Sequence, residues 1–152
     1  MCIEYMLPIG IKPKSVTDLV KRIKEGFSLN CIRALKKKGL TAAEISGCII
    51  STRVLNRRQE SAKKLTSRES DCVVRVARIL DMADKVFGSH EKALIWLRTA
   101  NEQLHGKKPL QLLFNEYGGR AVEQVMYEIQ RRLLKTSEPL AKRGSSSARR
   151  AS

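Results

Sequence analysis

The chain has 152 residues, room for one domain or two very small ones with a real core. Hydrophobic residues make up 42% and aromatic residues only 5%, so that core must be aliphatic. The formal charge of +15 points to a polyanionic partner; no apolar run approaches the ~18–20 residues of a membrane span, and MCIEYMLPIGIKPK lacks the charge-then-apolar pattern of a secretory signal.

Residues 1–14, with Pro8, Gly10 and Pro13, read as an irregular arm. From Ser15 the pattern turns helical, with Val16, Leu19, Val20 and Ile23 at spacings of three and four and Gly26 as a stop. Leu29, Ile32, Ala34 and Leu35 form a second helix that ends in Lys36, Lys37, Lys38 and Gly39. Cations in a last turn suit the negative end of the helix dipole, and the glycine suits a left-handed cap.

Thr41 and Glu44 are spaced as a capping box, opening a short helix to about Cys48. Ser51 caps a following helix, Thr52 to about Ala62, that carries Arg53, Arg57 and Arg58. Thr66 and Glu69 form a second capping box at the start of the longest helix, about 67–87. Its apolar stripe is Val73, Val76, Ala77, Leu80, Ala83 and Phe87. Gly88 ends it, and a helix over about 89–98 buries Ala93, Leu94 and Leu97 with Trp96 beside them.

A loop from Thr99 to Lys108 leads to Pro109, which fits the first turn of a short helix through about Asn115. Gly118-Gly119 reads as a turn, and Ala121, Val122, Val125, Met126, Ile129 and Leu133 line one face of a last helix. No strand-period alternation occurs, so the expected fold is all-α. The end, KTSEPLAKRGSSSARRAS, is too poor in apolar residues to offset the entropy of ordering and reads as a disordered basic tail, 135–152. Arg143, Arg149 and Arg150 there are candidates for nonspecific contact with DNA or partner.

Charge divides the chain. Residues 27–68 hold ten basic and two acidic side chains, whereas 69–134 hold ten and nine. A polyanion is expected at the first block and a different partner at the second. Leu29 to Ala62 has the form of a helix-turn-helix, whose second helix can lie in a major groove. That helix presents Ser51, Thr52, Arg53, Asn56 and Arg57; Arg pairs bidentately with guanine and Asn with adenine. Lys36, Lys37, Lys38, Arg58, Lys63 and Lys64 are the expected phosphate contacts.

Neither chemistry nor metal is indicated. The cysteines at 2, 31, 48 and 72 make no Cys-x-x-Cys pair and lie far in sequence from His90 and His105, so they read as thiols of a reducing compartment. The helical carboxylates Glu69, Asp71, Asp81 and Asp84 read as caps and surface pairs, and no Gly-rich phosphate loop occurs. No enzyme and no cofactor is expected.

From Leu65 to Leu134 the chain runs Leu65-Thr66, Glu69-Ser70-Asp71, Phe87-Gly88, Ala93-x-x-Trp96-Leu97, Asn101-x-x-Leu104-x-Gly106, Pro109-Leu110-x-Leu112-Leu113, Gly118 and Val122-Glu123. In order and spacing this resembles the C-terminal toxin-binding domain of the Xre/MbcA/ParS family of bacterial antitoxins. The resemblance implies a cytoplasmic bacterial protein with an Xre-like helix-turn-helix (15–64) before a toxin-binding domain (65–134). It implies a RES-domain toxin that consumes NAD as partner, steric blockage of the toxin's active site, and a homodimer on operator DNA within a larger complex.

The toxin would be held by the region of Trp96, Asn101, Leu104, Gly106, Lys107, Lys108, Pro109 and Leu110, with Leu104 and Leu110 as apolar contacts. An apolar patch on the 89–134 face should stay exposed in the free protein. Ala100 stands where the family usually has Pro, and Asn115 where it usually has Thr. Two other readings remain: a helix-turn-helix regulator without a toxin, and a basic RNA-binding protein. The absence of aromatics from residues 28–86 disfavours the second, since RNA surfaces commonly stack bases on them.

Overall fold

In the computed structural model, residues 7–137 are described. Seven α-helices follow in order: α1 Val16–Glu25, α2 Asn30–Lys37, α3 Ala42–Cys48, α4 Thr52–Glu60, α5 Ser67–Phe87, α6 His90–Leu97 and α7 Glu116–Thr136. Two 3₁₀ turns, Glu102–Leu104 and Pro109–Leu112, lie between α6 and α7. The fold is all-α; among the described residues the only β pairing is two isolated bridges, Leu7 with Ile11 and Asn101 with Lys107.

Local chemistry sets the helix ends. Both capping boxes form: Thr41 Oγ1 accepts from Glu44 N while Glu44 Oε2 accepts from Thr41 N, and Thr66 and Glu69 do the same at α5. Ser15, Ser51, Ser89 and Asn115 cap α1, α4, α6 and α7. α5 ends at Gly88, the expected stop, which takes a left-handed φ of 69°.

α5 is the axle of the molecule. Eleven of its 21 residues are buried, among them Val73, Val76, Ala77, Leu80 and Ala83. It packs against α1, α2, α6 and α7. The buried apolar residues form one cluster running from Leu7 to Met126, so the expected boundary at 64/65 falls inside a shared core. The junction is pinned by backbone: Leu65 N donates to Phe27 O at 3.0 Å, and Phe27 N donates to the buried Ser70 Oγ at 2.9 Å. A side chain at Gly26 would put Cβ 2.1 Å from the Leu65 carbonyl oxygen, so only glycine fits there.

Four expectations change. The described part of the arm, residues 7–14, is docked: Leu7 and Ile9 are buried. α4 stops at Glu60, two residues early, and Ala62 adopts a left-handed φ of 51°. The Pro109 helix is a 3₁₀ turn ending at Leu112.

Gly118-Gly119 is no turn but the first turn of α7. The reason is crowding. A Cβ on Gly118 would lie 1.8 Å from Leu112 O, and one on Gly119 would lie 2.8 Å from Arg75 Cδ. The glycines let α7 start directly against the 3₁₀ turn and α5. The basic tail beyond Ser137 lies outside the described residues.

Candidate functional site

α3 and α4 are joined by three residues, Ile49 to Ser51. Ile50 is buried and sets the turn. Ser46 Oγ accepts from Thr52 N at 3.3 Å and lies 3.1 Å from the Thr52 hydroxyl, tying the two helices together. α4 buries a single residue, Leu55, and leaves Arg53, Asn56 and Arg57 exposed. Among the described residues none of these three side chains has a hydrogen-bond or ion-pair partner. Ser51 and Thr52 are also exposed, but their hydroxyls already serve the α4 cap and the Ser46 link.

Arg58 was an expected phosphate contact, and the structure commits it elsewhere. Its guanidinium forms an ion pair with Glu69, both side chains largely shielded from solvent. Burial alone would raise the Glu69 pKa, but the hydrogen bonds from Arg58 and Thr66 outweigh it and hold the carboxyl below its usual range. Lys36 and Lys37 are exposed in the last turn of α2, and Lys63 and Lys64 are exposed after α4. Lys38 is half-buried and caps α2; its carbonyl accepts from His90 Nε2.

The loop after α6 is a closed knot. Asn101 N donates to Lys107 O at 3.1 Å and Gly106 N to Asn101 O at 2.9 Å, while Asn101 Oδ1 accepts from Gln103 N at 2.8 Å. His105 and Gly106 both take left-handed φ values, 55° and 74°. Lys107 and Lys108 are exposed at its rim, with Gly106 beside them. Leu104, Pro109 and Leu110, expected among the partner contacts, point inward and are buried in this chain, Leu104 and Leu110 at 4% and 6% exposure. In a loop this short, burying Leu104 is what anchors the knot to the body. Trp96 is half-buried, its ring centroid 5.3 Å from that of Phe87.

The exposed apolar groups of this half lie elsewhere. Ile95, Phe114, Tyr117 and Tyr127 are 48–82% exposed, and Leu133 and Leu134 are exposed where α7 ends. Sequence reading missed the two tyrosines and Phe114, although Tyr117 and Tyr127 fall off the buried α7 stripe of Val122, Val125 and Met126 and could be placed by helical spacing.

Phe114 stands on a stiff base. Arg75, 5% exposed, donates from Nη1 to Leu113 O at 3.2 Å and from Nη2 to Asp71 Oδ2 at 2.6 Å. Its Nε lies 3.5 Å from Glu116 Oε2. One buried guanidinium thus joins α5 to the start of α7.

A family profile, the antitoxin Xre/MbcA/ParS C-terminal toxin-binding domain, matches residues 82–131. Over 112 residues the chain is 35% identical to Antitoxin Xre of Pseudomonas putida, covering 74% of this chain and 70% of that protein. The chain belongs to the Xre antitoxin family. It is likewise 33% identical over 117 residues to Antitoxin Xre of Yersinia enterocolitica, covering 75% of this chain and 79% of that one. The matched segment starts within α5 and ends within α7, so it contains the knot and all the exposed aromatics named above. Among the described residues no helix is long and apolar enough to cross a membrane, and no cluster of three or more His, Cys, Asp or Glu could hold a metal.

Proposed function

We propose that this protein is an antitoxin that binds and neutralises a cognate RES-domain, NAD-degrading toxin by covering its active site. In this reading it also represses its own operon as a homodimer on operator DNA. The observation that carries the toxin half is the placement of Ile95, Phe114, Tyr117 and Tyr127. These side chains sit in solvent on the segment that matches the toxin-binding domain, in the near-neutral half of a strongly basic chain. Large apolar side chains left in solvent on the segment that matches a toxin-binding domain are groups that a bound toxin would bury. Trp96, Asn101, Lys107 and Lys108 are the other contacts proposed from the earlier set.

The operator half rests on α4, with Arg53, Asn56 and Arg57 as base readers and Lys36 and Lys37 as phosphate contacts. Binding should weaken steeply with salt, with a slope of roughly −0.9 per phosphate neutralised. The test is co-expression of the full chain with a RES-domain toxin taken from the same genome. Co-purification and restored growth are the expected results. Growth arrest unrelieved by the antitoxin, with no complex on gel filtration, would defeat the proposal.

A further inference from the structure

A reading helix is placed by the helix before it, and here that helix is held from the C-terminal half. Arg98, at the end of α6, donates from Nε to Glu44 Oε1 at 2.7 Å and from Nη2 to Glu44 Oε2 at 3.1 Å. The same Nη2 donates to Gly39 O at 2.7 Å, so one guanidinium grips both the α2–α3 loop and the first turn of α3. Glu44 is also the acceptor that closes the α3 capping box. At the other end of α6, His90 bonds the Lys38 carbonyl through Nε2 and Asp84 Oδ1 through Nδ1, 2.8 Å away. Both partners are acceptors, so the ring serves both only as the doubly protonated imidazolium.

Between these two residues, Leu94 fills the space beside Gly39, where a Cβ would lie 2.9 Å from Leu94 Cδ1. The far end of α3 is fastened as well: the Cys48 thiol donates to Leu110 O at 3.0 Å. α3 packs along the Pro109–Leu112 turn, and α4 has no comparable support. Besides the Ser46–Thr52 link, it is held by one buried leucine and the Arg58–Glu69 pair.

We infer that Arg98 is a positioning residue for DNA reading, with His90 as its support: α6 sets the pose of α3, and through the Ser46–Thr52 link the pose of α4. The inference rests on the operator-binding reading above. It separates pose from charge. Phosphate contacts tolerate a small rotation of the helix pair, whereas bidentate base contacts do not.

The experiment uses the full chain and the duplex that the wild type selects from a random-sequence pool. Arg98→Met should weaken binding to that duplex about tenfold, comparable to the loss of a bidentate base contact. Its affinity for an unselected duplex of equal length should stay within about twofold, because that binding is ionic. Arg98→Lys keeps the cation but cannot fork across Glu44 and Gly39, so it should fall between the two. Thermal melting of each variant confirms that binding is measured on folded protein, and the milder Lys variant decides the matter if the Met variant melts too low. Equal losses on both duplexes, or wild-type affinity of the folded Arg98→Lys variant for the selected one, would overturn the inference. A wild type that selects no duplex would instead remove the operator reading on which it stands.

Discussion

α4 and α5 lie next to each other in sequence and differ in almost every physical respect. α4 buries one residue and leaves Arg53, Asn56 and Arg57 exposed to solvent; α5 buries eleven and packs against α1, α2, α6 and α7. The core is therefore carried by α5 and hardly at all by α4, the helix proposed to read DNA. Substitutions in α5 should unfold the molecule, and substitutions in α4 should leave it folded but unable to read DNA. The sharpest break of this contrast is Leu80→Ala in α5. Loss of a fully packed leucine should destabilise by about 2–5 kcal/mol. Because the core is continuous from Leu7 to Met126, both halves should melt in one transition. Two separate calorimetric transitions would show that the halves are independent after all.

The next effect tests what brings α7 onto α5. In an ordinary helix, replacing glycine by alanine stabilises by up to about 1 kcal/mol. At Gly118 the sign should invert, since the new Cβ would meet the Leu112 carbonyl oxygen at 1.8 Å. Backbone must move to relieve that contact, at a cost of about 1–3 kcal/mol. Gly119→Ala should cost less, because its nearest obstacle is a side chain, Arg75, and not backbone. Chemical denaturation of the two variants measures the order.

On the α4 side, Arg53→Ala should leave the melting temperature unchanged while weakening operator binding by about 1–3 kcal/mol if Arg53 reads a base. Arg58→Ala should do the reverse. Its guanidinium is paired with Glu69, so its loss should lower stability and affect DNA chiefly through that. A gel shift in which Arg58→Ala lowers affinity as much as Arg53→Ala, with no change in melting, would erase the distinction between reader and strut.

These contrasts also show what was legible in the amino-acid order. Capping boxes at Thr41–Glu44 and Thr66–Glu69 depend on residues three apart, so the helix starts could be read directly. The apolar stripe of α5 was readable for the same reason of short-range periodicity. Gly118-Gly119 was misread because a glycine pair ordinarily marks a turn, whereas here its cause is a carbonyl and an arginine brought close by the fold. Leu104 and Leu110 were read as partner contacts because a loop leucine gives no sign of which way it points. The hold of Arg98 on Glu44 spans 54 residues and leaves no periodic trace. Local rules can propose Arg53, Asn56 and Arg57 as readers, but not the long-range bonds that hold α3 beside them.

The smallest effect concerns the other end of that hold. The hydrogen bond to Asp84, and then that to the Lys38 carbonyl, raise the His90 pKa above its ordinary value near 6.5. A group whose folded pKa is raised contributes stability that is fully present below the unfolded value and is lost as pH rises through the folded one. The bond between α6 and the α2–α3 loop should therefore be complete below about pH 6.5 and fade above it. His90 is 38% exposed at its side chain, so solvent screening keeps the effect modest. The measurement is the difference in melting temperature between wild type and His90→Gln across this range. It should shrink as pH rises; a difference constant with pH would mean that the ring acts through packing alone.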